Sequence, residues 1–131
     1  MARKVAGVNE ASSKLRTCIA TVSIAGDFRE KLAAISRAGF TGIEMFEQDF
    51  LAYDGPAVDV GWIIQDYRLE IMLFQPFRDF EGLPEPYRSR AFERAERKFD
   101  LMHSMDADLV LICSNLSAHA LGGIDWAESA I

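Results

Sequence analysis

The chain has 131 residues, half of them hydrophobic and 26% charged, which is the composition of one globular domain and not of a disordered segment. Its formal net charge of −6 repels phosphate backbones and anionic headgroups, which sets aside sequence-independent nucleic-acid binding and attraction to acidic membranes. No apolar run approaches the roughly 20 residues that cross a bilayer.

Residues 1–16 carry basic groups with no apolar run behind them, so they are not a secretory signal and are expected to form a flexible extension. The folded part is expected over 17–131. "TCIATVSI" (17–24) is short, β-branched and apolar, as a buried strand is. Asp27 stands where a helix N-cap belongs, Phe28, Leu32 and Ile35 recur at helical spacing, and Gly39 closes the segment. "TGIEMFE" (41–47) reads as a second strand and "DFLAYDGP" as a loop. Pro56 suits the first turn of a helix that runs to about Tyr67, with Ala57, Val60, Ile64 and Tyr67 on one face. Gly61 weakens that helix by about 1 kcal/mol relative to alanine.

"LEIMLFQ" (69–75) is a third strand, and Pro84 and Pro86 punctuate the loop after it. A long helix begins at Tyr87, with Phe92, Ala95, Phe99 and Met102 as its apolar stripe and Glu93 and Arg97 as an i,i+4 pair. "ADLVLICSN" (107–115) is a fourth strand. Gly122 and Gly123 lead to Asp125, an N-cap for "WAESAI". Cys18 and Cys113 lie inside strand-like runs and are expected to be buried free thiols.

Strands alternating with helices imply a parallel sheet with right-handed crossovers. Either an open doubly wound sheet or part of a (β/α)₈ barrel satisfies the pattern. "SIAGDF" has a single glycine after the first strand, so the dinucleotide-binding fingerprint is absent. A whole barrel needs about 250 residues.

Chemistry in parallel α/β proteins gathers at the carboxyl ends of strands. Those ends carry Thr21 and Ser23, then Glu44, Phe46 and Glu47, then Gln75, Phe77 and Arg78, then Ser114 and Asn115. Glu44 alternates with Ile43 and Met45, so it faces away from the helices, either in a salt bridge to a neighbouring strand or in contact with substrate or metal. Arg78 is either a loop arginine paired with Asp79 or Glu81, or a clamp for an anionic substrate. Phe74, Phe77 and Gln75 are core packing or pocket wall. His103, and in larger part His119, read as surface residues, and "RSRAFERAERK" as a solvated helix face.

"ATVSIAG", "GIEMFEQDFLAYDG", "LFQPFRDFEGLP", "RAERKFDLM" and "LVLICSN" together resemble bacterial 3-dehydroshikimate dehydratases, members of the xylose-isomerase-like barrels of the sugar-phosphate isomerase/epimerase group. The resemblance runs from about Thr17 to the end, and "LFQPFRDFEG" is its most specific piece. It implies an α/β fold in which residues 17–131 are parallel βα repeats forming the N-terminal half of a TIM barrel, cut within the fourth helix. It implies a cytoplasmic lyase that turns 3-dehydroshikimate into protocatechuate in quinate and shikimate catabolism, using Mg²⁺, Mn²⁺ or Co²⁺. Family metal ligands lie on strands five to eight, so this chain alone is expected to bind no metal, to hold no catalytic residue and to be inactive. The carried-over substrate-binding positions are Glu44, Phe46, Gln75, Arg78 and Asn115, facing a small carboxylate substrate. The dioxygenase-like domain of some members is not visible. The alternatives are another sugar-phosphate isomerase/epimerase-like enzyme and a non-catalytic half-barrel that assembles with a partner.

Overall fold

A computed structural model describes residues 15–121. The extension assigned to 1–16, apart from its last two residues, and the helix capped by Asp125 lie outside the described residues. Arg16 already belongs to the fold, because its guanidinium meets Glu70 at 2.7 Å on the surface.

The elements are β1 (Cys18–Ala20), α1 (Phe28–Arg37), β2 (Gly42–Phe46), α2 (Glu47–Leu51), α3 (Ala57–Asp66), β3 (Glu70–Phe77), α4 (Tyr87–Ser104) and β4 (Val110–Ile112). The first strand is shorter than its apolar run because Thr21–Ser23 winds into a 3-10 turn. Thr21 is fully buried there, and its hydroxyl accepts the Phe46 N–H at 3.1 Å. The start of α1 is a complete capping box: Asp27 Oδ1 accepts the Glu30 N–H and Glu30 Oε2 accepts the Asp27 N–H, each at 2.9 Å.

Several expectations are corrected. The loop after β2 contains α2, a single helical turn held by two contacts that local sequence does not reveal. Asp49 meets Lys31 of α1 at 2.7 Å, and Phe50 lies edge-on to Phe74. The third strand continues through Pro76 to Phe77, which pairs with Ile112. The fourth strand keeps only three of the residues assigned to it. The buried face of α4 is Ala91, Ala95, Lys98 and Met102, whereas Phe92 and Phe99 are 51% and 50% exposed. Both sets fit the helical period; the choice falls to Lys98, buried because it has a partner. No Glu93–Arg97 ion pair forms among the described residues. Both cysteines are free, as expected, but only partly buried.

Gly61 is justified by packing. A Cβ there would sit 3.2 Å from the carbonyl oxygen of Met105, so its absence lets α3 approach the end of α4.

The four strands are all parallel and lie in the order β1-β2-β3-β4. A doubly wound sheet of the flavodoxin kind would carry β1 between β2 and β3. Strictly sequential order, with β1 at an edge, is barrel order. Ile43, Met45 and Phe74 point to one side and join Leu32, Ile35, Val60, Ile64 and Met102 in a single core under the helices. Ala20, Glu44 and Gln75, on the opposite face, are only partly buried.

The edge strands among the described residues are β1 and β4. Leu109, Leu111 and Ile112 are exposed along the second of these edges. Unpaired edges and open apolar faces drive association. The 131-residue chain should therefore sediment as dimers or larger species, with a mass that rises with concentration. A monomer across that range would mean that the edges are covered.

Candidate functional site

The carboxyl ends of β2 and β3 meet because the strands are parallel neighbours, with Phe46 opposite Gln75. The register shifts between Ile43 and Glu44, so Met72 is an extra residue on β3 and Glu44 stands opposite Leu73. This brings Gln75 diagonally to Glu44, and its amide Nε2 donates to Glu44 Oε2 at 3.0 Å. Glu44 therefore faces away from the helices, as its alternation predicts, but its partner is a neutral amide and not a neighbouring strand's cation. Cys18 is on the same face of β1. Burial raises its thiol above the ordinary value, the Glu44 carboxylate adds to that, and Arg16 opposes it. The thiol beside Glu44 is thus held in its neutral form.

On the rim is a cavity of about 610 Å³, lined by Phe46, Glu47, Arg78, Asp79, Arg94, Arg97 and Lys98 among others. Arg78 is exposed and pairs with neither Asp79 nor Glu81. Those acids serve the loops instead: Asp79 Oδ1 accepts the Leu116 N–H at 2.8 Å, and Glu81 Oε1 accepts the Asn115 N–H at 2.6 Å. Nor is Arg78 a lone cation, because α4 adds Arg94, Arg97 and Lys98. Arg94 donates to the carbonyl of Arg78 and lies over the ring of Phe77, which fixes the loop from outside.

The five positions read as substrate-facing thus separate into three settings at one end of the sheet. Glu44 and Gln75 form the inner pair. Phe46 and Arg78 line the rim cavity. Asn115 braces two loops, with Nδ2 donating to the Glu81 carbonyl and Oδ1 accepting the Ser117 N–H at 2.7 Å. Phe74 and Phe77 are both buried, and the ring of Phe77 meets that of Phe80 at a tilt of 43° with centroids 5.4 Å apart. His119 stacks on Tyr87 with ring centroids 4.0 Å apart, and His103 is exposed on α4.

Two buried lysines, Lys31 and Lys98, escaped the sequence reading, as did the role of Arg94. One signal was available: Glu47 and Asp49 follow β2 with no cation three or four residues away on either side.

Among the described residues no three His, Cys, Asp or Glu side chains converge. Glu44 and Gln75 offer a carboxylate and an amide oxygen, which falls short of the several oxygens that hard cations need. These residues do not by themselves fit a divalent metal.

A family profile described as xylose isomerase-like TIM barrel matches residues 32–130. The chain is 56% identical over 108 residues to a 3-dehydroshikimate dehydratase of Pseudomonas aeruginosa, and 51% identical over the same length to one of Pseudomonas putida. Each match covers 82% of the chain and 17% of the relative, so the chain spans about a sixth of the curated relatives' length. Among solved structures, a xylose isomerase-like TIM barrel/4-hydroxyphenylpyruvate dioxygenase fusion protein superposes with a TM-score of 0.77 at 52% identity, over 80% of this chain and 17% of that one. The probable 3-DHS dehydratase AsbF of Bacillus anthracis gives 0.61 at 15% identity over 75% of this chain and 38% of that one, a likeness of fold alone. Among the described residues no helix is long and apolar enough to cross a membrane.

Proposed function

The chain belongs to the xylose isomerase-like TIM barrels, and from that premise we propose that it supplies the first four strands, and the substrate-facing wall, of a cytoplasmic 3-dehydroshikimate dehydratase. The observation that carries this reading is the 56% identity to the Pseudomonas aeruginosa enzyme over most of the chain. Sequential parallel strands support it, because they bring the polar ends of β2 and β3 to one mouth.

In this reading the substrate is a small cyclic carboxylate that loses water to give protocatechuate. Arg78, exposed on the rim with its neighbouring acids otherwise engaged, binds the carboxylate through its planar fork. Glu44 is oriented by the Gln75 amide through one oxygen and presents the other to a substrate hydroxyl or water. In the complete barrel a divalent metal, Mg²⁺, Mn²⁺ or Co²⁺, would be held by ligands from outside this chain. The pathway served is quinate and shikimate catabolism.

The test is a complete barrel, made by joining the chain to the segments that follow its matched region in the Pseudomonas aeruginosa relative. With 3-dehydroshikimate it should release protocatechuate. Gln75→Leu, which removes the amide but keeps the bulk, should lower kcat/KM about tenfold, the loss expected for one hydrogen bond to a charged group. A barrel that ignores 3-dehydroshikimate and isomerises a ketose phosphate would replace this reading with that of a sugar-phosphate isomerase.

A further inference from the structure

Gln75 is the last β3 residue paired with β2 and lies inside the irregular stretch facing β4. The β2–β3 register shifts between Ile43 and Glu44, and the β3–β4 register shifts between Phe74 and Phe77. From Glu44 onward β2 and β3 pair regularly up to Phe46 and Gln75, whereas on the β4 side no ladder pair lies between Phe74 and Phe77. The next residue, Pro76, has no N–H to give a ladder. The β2 ladder ends at the Phe46–Gln75 pair, so beyond Gln75 on that side a contact from outside the sheet can add to what fixes the strand end and the Gln75 amide.

Lys98 stands where that constraint is needed. It is only 9% exposed, in the middle of α4. Its ammonium donates to Glu47 Oε1 at 2.5 Å and to the Pro76 carbonyl at 3.2 Å, and lies 5.2 Å from the ring centroids of both Phe74 and Phe77. Glu47 directly follows β2, and Pro76 directly follows Gln75. One cation on the outer side therefore ties the same two strand ends that Glu44 and Gln75 join on the inner side. A buried ammonium is tolerated only with such partners, and here one partner opens α2 directly after β2 and the other lies in β3, beside the inner pair.

We propose that Lys98 is a positioning residue: through Glu47 and the Pro76 carbonyl it fixes the ends of β2 and β3 so that Gln75 holds Glu44 toward the barrel mouth. The proposal rests on the reading of those strand ends as a substrate wall. It assigns to Lys98 no contact with substrate.

Lys98→Met combined with Glu47→Leu separates positioning from stability. Replacing a buried ion pair by apolar groups of similar volume is often neutral or stabilising. In the complete barrel the double variant should keep or raise Tm. Its kcat/KM for 3-dehydroshikimate should fall about ten- to hundredfold, the scale of a misplacement near 1 Å. The Gln75 side-chain amide signals, read with ¹⁵N-glutamine labelling, should move toward those of a solvated glutamine. Parental kcat/KM with unmoved Gln75 signals overturns the proposal and leaves Lys98 as core packing. Moved signals with parental kcat/KM uphold the positioning and instead sink the substrate-wall reading. Should the double variant fail to fold, Glu47→Gln, which keeps the shape, is read by the same two quantities and should change both in the same directions by less.

Discussion

Lys31→Met should cost the fold about 3–5 kcal/mol, the usual loss when one member of a buried ion pair is removed. Lys31 and Asp49 have side chains 9% and 16% exposed, and their charged atoms are 2.7 Å apart. Asp49 Oδ2 is buried and has no hydrogen-bond partner among the described residues, so the carboxylate depends on the ammonium at its other oxygen. Without Lys31 a charge stays in the interior uncompensated, and the tie between α1 and α2 is lost. Lys31→Met with Asp49→Leu should recover most of the stability, because no unpaired charge is left behind. Urea denaturation of the three proteins measures this. A single variant within about 0.5 kcal/mol of the parent, the range of ordinary surface substitutions, would mean that water reaches Asp49 readily and that the pair is a surface contact.

Arg78→Ala should weaken substrate binding in the complete barrel by about ten- to hundredfold, since a hydrogen bond to a charged group contributes roughly 1.5–3 kcal/mol. The effect should appear as a higher KM. Arg78→Lys should restore only part, because an ammonium cannot form the planar two-pronged contact. Arg97 is the control: it lines the same cavity from α4, without an ion pair among the described residues. If Arg97→Ala raises KM as much and Arg78→Ala does not, the carboxylate lies against the helix side of the rim. A lower kcat at constant KM would place Arg78 in the transition state. Wild-type kcat/KM in Arg78→Ala would remove Arg78 from the site.

Apart from α2, the order of strands and helices was legible because it rests on local chemistry. Apolar β-branched runs, the Asp27 cap and the prolines at 84 and 86 act over a few residues. So did the parity of Glu44 between Ile43 and Met45, which the structure keeps. The choice between barrel and doubly wound sheet was not legible in the pattern. Both alternate βα units, and only pairing across the sheet places β1 at an edge. Resemblance of "LFQPFRDFEG" to a family pointed to the barrel before any pairing was known, but as a likeness and not as physics.

What tertiary structure decided concerns charge and register. Hydropathy ranks a phenylalanine above a lysine for burial, so it turned α4 toward Phe92 and Phe99. The fold turned it the other way, because Glu47 and the Pro76 carbonyl give Lys98 partners that sit 51 and 22 residues away in the chain. Lys31 and Asp49 follow the same logic across 18 residues. A burial that depends on a distant partner leaves no periodic trace. The bulge at Met72 is hidden for a related reason: period-two reading assumes an unbroken ladder, whereas Ile71 and Phe74 reach the same core only because β3 carries one residue more than β2 opposite it. The sequence names Glu44 and Gln75; the bulge makes them a pair.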